Sequence, residues 1–341
     1  MKKIAVITTG GTIGSVLTDK SVAVDTSLEH LAEQIELSRL QLDCQIQLYS
    51  PFSKSSENLG PGDWQDLLVA LKQANDSDCD AIVVTHGTDT MEYSAAAVLC
   101  CGQLWTKKIC FTGAYYPPGS ENSDVAINLQ GALAWACGDL PKRGVAVSFK
   151  SAEQQYSEIL NAFGLKSMLY DERTFTSSGK SFARYDKSGI SHVQSDYQQT
   201  SPQLPLSAVP RRVDIDAAAN RIAFVHLYPG IDQKLLRSVA TDRDVLVLQG
   251  YHCGTGPADE DSGLLDFVSA YSESTSILMA GYPEELVQLP YDSSIELISA
   301  GLRLYKNMPA YFVYVYALIG LAIGLNSASL VETLSDYEVR V

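Results

Sequence analysis

Residues 2–14 read KKIAVITTGGTIG, and this stretch decides the fold. An apolar run, residues 4–7, leads directly into a polar loop of threonine and glycine. A continuous apolar run is typical of a strand covered on both faces, as in a parallel sheet. The run is too short for the core of a signal peptide. We therefore predict a buried first strand whose carboxyl end opens into a glycine-containing loop.

The same pattern recurs along the chain and predicts the fold class. Further apolar runs that end in polar loops lie at 81–85, 109–112 and 144–149, and a second series lies at 222–227, 245–249 and 276–280. Helical patterns separate them. One follows a capping box at 26–29, and another begins at Asp63 with an apolar stripe. Alternating strands and helices predict an α/β protein with a doubly wound, mainly parallel sheet.

A polar segment with three prolines, residues 194–212, predicts the domain boundary. We expect a larger N-terminal α/β domain at 1–193, this linker, and a smaller C-terminal α/β domain at 213–341. Residues 307–331 carry no charge, so their length is compatible with a membrane span. The favoured interpretation is a buried C-terminal helix that ends near Asn326, because polar residues fill the end of the run.

Composition excludes several classes of function. The 341 residues include 46% hydrophobic and 19% charged residues, which is typical of a globular protein. A formal net charge of -15 argues against nucleic-acid partners and against docking on anionic membranes. The seven cysteines form no CxxC pair, and the five histidines have no zinc-site spacing. We therefore expect reduced thiols, a cytoplasmic location, and neither a metal nor a cofactor.

Two loops hold most of the groups capable of chemistry. Residues 8–14 and 85–91 each follow a predicted strand, and ligands of such sheets bind at the carboxyl ends of the strands. The first loop taken alone is compatible with a tight turn or a phosphate cradle, although it lacks the P-loop lysine. In the second loop, Asp89 and Thr90 are compatible with simple helix capping. The two loops together narrow the choice.

Both loops resemble motifs of the bacterial-type L-asparaginase family, TGGTI at 9–13 and HGTDTM at 86–91. Residues 49–64 and 123–129 resemble further blocks of that family, so the resemblance covers nearly the whole chain. It implies hydrolysis of L-asparagine to L-aspartate and ammonia. It also implies a homodimer or homotetramer whose interface completes the site.

The resemblance implies a role for each catalytic residue. Thr12 is the primary nucleophile, and Thr88 and Asp89 belong to its proton relay. Counting back from the segment 174–177 places the family's lysine at Lys166. A threonine hydroxyl needs such a relay because it is a weak nucleophile at neutral pH. We expect Lys166 to be desolvated and paired with Asp89, so that it accepts a proton through Thr88. Which threonine attacks first stays open.

Substrate binding is implied in the same way. The α-carboxylate and α-amine of the substrate, its leaving amide and the developing oxyanion would each meet their own group. The implied substrate-binding residues are Ser55, Ser56, Asp89, Ala114 through its carbonyl, and Gly11 and Thr88 through backbone N–H groups.

The chain also departs from the family pattern. Residues 15–26 lack the tyrosine of the mobile lid, and Val22 stands in its place. Glu284 and Glu285 are the candidates for the residue donated across the subunit interface, and Tyr311 replaces a more polar residue. Two alternatives therefore remain beside asparagine hydrolysis. One is an amidase for a related amide, such as glutamine, and the other is a degenerate protein that binds an amino acid as a sensor.

Overall fold

The computed structural model describes residues 1–17, 22–24, 33, 42–139, 143–152, 154–168, 173–178, 181–194, 201–252, 254–259, 263–281 and 291–340. It consists of two compact units, Met1–Val209 and Pro210–Val341. The boundary lies within the segment 194–212. Residues just before it belong to the first unit, because Leu204 is fully buried and its backbone N–H donates to the Cys100 carbonyl at 2.9 Å.

The first unit is built around an eight-stranded sheet. Its strands in chain order are β1 Lys2–Thr8, β4 Cys44–Tyr49, β5 Ala81–Thr85, β6 Lys108–Thr112, β7 Gly144–Lys150, β8 Ser157–Asn161, β11 Ala183–Asp186 and β12 Gly189–Ser191. Two small antiparallel pairs accompany it: β2 Ser15–Leu17 with β3 Val22–Val24, and β9 Leu165–Lys166 with β10 Thr176–Ser177.

Strand order in the large sheet is β12-β11-β8-β7-β6-β5-β1-β4. The five strands from β7 to β4 are parallel, and β8, β11 and β12 add antiparallel pairings at the other edge. The prediction of a mainly parallel α/β sheet is therefore confirmed. Every residue of β5 and β6 is buried, as the continuous apolar runs require.

Helices α1 Pro61–Asp76, α2 Met91–Cys100 and α3 Val125–Cys137 cover this sheet. Helix α1 begins two residues before the predicted Asp63, because proline is favoured at the first position of a helix. Asp63 instead caps the helix, and its Oδ2 accepts from the Gly60 N–H at 2.9 Å. The helix predicted after the capping box at 26–29 lies outside the described residues.

The second unit has a four-stranded parallel sheet in the order β13-β14-β15-β16, as a smaller C-terminal α/β domain requires. Its strands are β13 Ile222–His226, β14 Val245–Gln249, β15 Ser276–Ala280 and β16 Arg303–Tyr305. Its helices are α4 Arg212–Ala219, α5 Gln233–Ala240, α6 Leu264–Tyr271, α7 Asp292–Ser299, α8 Ala310–Ala322 and α9 Ser327–Arg340.

The uncharged stretch 307–331 is divided between two helices. Helix α8 is largely buried and ends at Ala322, four residues before the predicted end. The Asn326 side chain then accepts from the Ser329 N–H at 2.8 Å, which is the geometry of a capping residue for α9. In the part of the chain that the structure describes, no helix has both the length and the apolar character that crossing a membrane needs.

Candidate active site

The loops after β1, β5 and β6 start at the same level of the sheet. Thr8 pairs with Thr85, and Thr85 pairs with Thr112, in the parallel register. The Thr85 carbonyl accepts from both the backbone N–H and the hydroxyl of Thr9, at 3.2 and 2.9 Å. Loops that are far apart in sequence are thus joined at the carboxyl edge of the sheet, where ligands of α/β proteins bind.

Two glycines bring the first two loops into backbone contact. A Cβ added at Gly11 would lie 2.4 Å from the Cα of Gly87, so no side chain fits between the loops. Gly11 has φ 85° and ψ 177°, a conformation that is almost restricted to glycine. Thr12 and Thr88 directly follow these two glycines, and both side chains are half-buried. The structure therefore places the two candidate hydroxyls in one region.

The segment with Ser55 and Ser56 forms the third wall. The Lys54 N–H donates to the Thr9 carbonyl at 3.0 Å, which joins this segment to the first loop. The Ser56 hydroxyl accepts from the Asp89 N–H at 3.2 Å, which joins it to the second loop. Ser56 is only 3% exposed, whereas Ser55 is half-buried. Ser56 thus holds the backbone at Asp89, and Ser55 is the more accessible of the two hydroxyls.

Ala114 lies in the loop after β6, and that loop packs on the second loop. A Cβ added at Gly113 would lie 2.6 Å from the His86 carbonyl oxygen and 3.6 Å from Cγ2 of Thr88. The Asn128 amide on α3 donates to the Gly113 carbonyl at 2.9 Å. Ala114 is fully buried. The structure brings the Ala114 segment to the same region as Thr88 and fixes it to α3.

His86 supports this loop as a neutral ring. It is completely buried, and burial lowers its pKa to about 4. Its Nδ1 lies 2.7 Å from the Gly87 carbonyl, which can only accept, and its Nε2 lies 2.8 Å from the Ser94 hydroxyl. At neutral pH, Nδ1 therefore carries the proton and Nε2 accepts from Ser94. Because both ring nitrogens are engaged, His86 acts as a structural residue of the loop.

Asp89 and Lys166 do not form the expected desolvated pair. Both side chains are exposed, and no described hydrogen bond or ion pair joins them. Partial burial of the Asp89 carboxylate and the nearby negative charge of Glu57 raise the pKa of Asp89. Lys166 lies at the end of the short strand β9. The catalytic role of Lys166 therefore stays a prediction, and it would require the side chain to turn toward Asp89.

Glu92 is a residue of this region that the sequence analysis missed. It lies one helical turn after Asp89 and is 1% exposed. Its Oε1 accepts from the Ser167 hydroxyl at 2.6 Å, whereas its Oε2 has no hydrogen-bond partner among the described residues. Burial raises the pKa of Glu92 to about 7, and the Asp89 charge contributes. The sequence signal was a single carboxylate at the start of an otherwise apolar helix.

We expect Glu92→Gln to remove a pH dependence of stability. Above about pH 4.5 the unfolded state releases this proton, while the folded state keeps it until pH 7. The free energy of unfolding therefore falls as the pH rises between these values, by about 3 kcal/mol at most from this group. Glutamine keeps the acceptor for Ser167 and carries no charge. Urea unfolding at pH 5 and pH 8 should show a smaller difference for this variant than for the wild type.

The matched control for this measurement is Glu121→Gln, because Glu121 is an exposed glutamate. That variant should retain the pH dependence of the wild type. Equal pH dependence in the wild type and in Glu92→Gln would show that the Glu92 carboxyl does not carry the raised pKa.

Comparison with known proteins agrees with this geometry. A family model described as "Asparaginase, N-terminal" matches residues 3–196, which include every candidate catalytic residue. The chain belongs to the asparaginase family. It is accordingly an asparaginase-family amidohydrolase, and the resemblance seen in the two loops is confirmed.

Two curated relatives of this family member have different names. One belongs to the glutamyl-tRNA(Gln) amidotransferase of Thermoplasma acidophilum, and the chain is 27% identical to it over 326 residues, covering 93% of this chain and 75% of that protein. The other is the L-asparaginase of Thermococcus kodakarensis, and the chain is 27% identical to it over 284 residues, covering 81% of this chain and 79% of that protein. Similarity of sequence therefore does not choose between these two names.

Solved structures confirm the asparaginase fold. The thermostable L-asparaginase from Thermococcus kodakarensis has a TM-score of 0.74 at 22% identity and covers 97% of this chain and 96% of its own. L-asparaginase I from Vibrio cholerae has a TM-score of 0.73 at 20% identity and covers 100% and 97%. Both units of the chain thus have counterparts in these proteins.

Three predicted departures remain to be placed. The side chain of Val22, and both Glu284 and Glu285, lie outside the described residues. Tyr311 is described and is buried in helix α8 of the second unit.

Proposed function

We propose that this asparaginase-family protein hydrolyses L-asparagine to L-aspartate and ammonia with a threonine nucleophile. The observation that carries the proposal is the backbone contact of Gly11 with Gly87, because it sets Thr12 and Thr88 side by side. Two hydroxyls at one strand edge, next to a carboxylate, supply the elements of nucleophilic catalysis.

In the proposed reaction, the Thr12 hydroxyl oxygen attacks the side-chain amide carbon. Its proton passes through Thr88 toward Lys166 and is delivered to the leaving nitrogen, so that ammonia departs and an ester on Thr12 remains. Water then hydrolyses the ester, which restores the hydroxyl and releases L-aspartate. The same steps with the two threonines exchanged satisfy the same balance.

The remaining groups would bind and orient the substrate. Ser55 and Ser56 would donate to the α-carboxylate, and Asp89 would accept from the α-ammonium. The Ala114 carbonyl would accept from the leaving amide. Backbone N–H groups of Gly11 and Thr88 would stabilise the oxyanion, which is worth most when the donors are already fixed. Hydrogen bonds that fix these loops, such as those of Ser56 and Asn128, support this assignment.

A second candidate is hydrolysis of a related amide. It is favoured by the match to the Thermoplasma acidophilum protein, whose name indicates an amide on glutamyl-tRNA. Against a tRNA-linked substrate stands the net charge of -15, since binding to nucleic acid depends on lysine and arginine at the phosphates. Free L-glutamine remains compatible with the site, because it differs from asparagine by one methylene.

Ammonia release from L-asparagine, L-glutamine and D-asparagine tests the proposal. We expect the highest kcat/KM for L-asparagine, because one methylene in a fitted pocket changes kcat/KM by roughly 10- to 200-fold. A higher value for L-glutamine would establish the second candidate. Binding of asparagine without ammonia release from any of the three would establish a sensor.

Assembly and location belong to the same proposal. We expect a homodimer or homotetramer in which a neighbouring protomer completes the site, and light scattering of the purified chain measures this. A cytoplasmic location follows from the cysteine usage and remains an expectation.

A further inference from the structure

A small cationic cleft lies beside the candidate active site. It has a volume of about 190 Å³ and is lined by the loop after β6, the end of β7 and Arg173. None of the candidate catalytic residues, all of which the structure describes, lines it. It lies at the same carboxyl edge of the sheet, and its first lining residue, Tyr115, directly follows Ala114.

The charged side chains of this cleft favour an anion. Lys150 and Arg173 are its two cations, whereas Asp124 is its one carboxylate among the described lining residues. Asp124 is buried, and both of its oxygens are already occupied. They accept from the backbone N–H groups of Tyr115 and Tyr116 at 3.0 and 2.8 Å. A ligand in the cleft therefore meets two positive charges in a chain whose net charge is -15.

The donors of the cleft are held in place before any ligand arrives. Arg173 donates through Nη1 to the Tyr116 hydroxyl at 2.8 Å, so the hydrogen of that hydroxyl remains available for a ligand. The neighbouring Thr174 hydroxyl donates to the Lys150 carbonyl at 2.8 Å, which ties the two cationic residues together. Arg173 has φ 51°, a strained conformation that occurs preferentially at functional sites. Donors fixed in advance reduce the entropic cost of binding.

We propose that this cleft binds a small anion with a carboxylate or phosphate group, held by Lys150, Arg173 and the Tyr116 hydroxyl. Its volume is below the roughly 300–1,000 Å³ of clefts for drug-sized ligands, so the ligand is a small acid and not a nucleotide. The proposal does not depend on the reaction proposed above, because none of the described residues is common to both sites.

Calorimetric titration of the full chain with inorganic phosphate and with succinate tests the proposal. We expect binding of at least one anion at millimolar concentration. Stronger binding of phosphate would assign a phosphate-bearing ligand, and stronger binding of succinate would assign a dicarboxylate. The double variant Lys150→Gln/Arg173→Gln should bind at least about tenfold more weakly, since charge-assisted hydrogen bonds are worth more than neutral ones.

Two further variants make the result specific. Lys187→Gln/Lys234→Gln changes the net charge equally at exposed sites and should bind like the wild type. Tyr116→Phe keeps the ring, removes the hydroxyl and should weaken binding severalfold, which tests the cleft even where the double variant fails to fold. The proposal is overturned if neither anion binds the wild type. It is also overturned if binding persists unchanged in the folded double variant or in Tyr116→Phe.

Discussion

Thr12→Ala is expected to lower kcat for ammonia release from L-asparagine by at least about a thousandfold, since loss of a nucleophile removes the covalent route. The substitution removes one hydroxyl from a half-buried position beside the Gly11–Gly87 contact and leaves the hydrogen bonds of the three loops unchanged. Binding of L-aspartate, measured by calorimetry, should therefore persist.

Thr12→Ser is the matched control, because serine keeps the hydroxyl at nearly the same place. It should retain most of the activity. A Thr12→Ala protein that keeps more than a tenth of the wild-type kcat would show that another group attacks the amide.

Gly11→Ala is expected to abolish activity and to lower the free energy of unfolding by at least about 3 kcal/mol. The added methyl group would meet the Gly87 backbone at 2.4 Å, and alanine rarely adopts the Gly11 backbone conformation. Relief of the clash requires the first and second loops to separate, which moves Thr12 away from Thr88. Urea unfolding and ammonia release measure the two effects.

Gly230→Ala separates the clash from the backbone strain. Gly230 has φ 81°, close to that of Gly11, and a Cβ there would meet no atom within 4 Å. We expect a loss of about 1–2 kcal/mol and full activity for this control. Wild-type activity in Gly11→Ala would refute the close contact of the two loops.

The sequence predicted the parts of the fold that rest on strong local patterns. Strands β5 and β6 are buried along their whole length and appear as continuous apolar runs, so their existence and their polar ends could be inferred. Strand β4 was missed because it forms the edge of the sheet. Its exposed glutamines and exposed Leu48 give neither a continuous apolar run nor a regular alternation.

The candidate site was predictable where a motif continues directly from a strand. Thr12 and Thr88 are of this kind, since a few residues connect each of them to its strand. Lys166 was placed by counting along the chain, and counting carries no information on burial. The structure sets Lys166 on an exposed two-residue strand. Glu92 escaped notice because its burial and its contact with Ser167 depend on the tertiary structure.

A crystal structure of the protein with bound L-aspartate tests the central claim most directly. We expect the side-chain carboxylate of aspartate between the hydroxyls of Thr12 and Thr88, with its α-groups at Ser55, Ser56 and Asp89. Aspartate bound only elsewhere, with Thr12 and Thr88 turned away from a common space, would contradict the account.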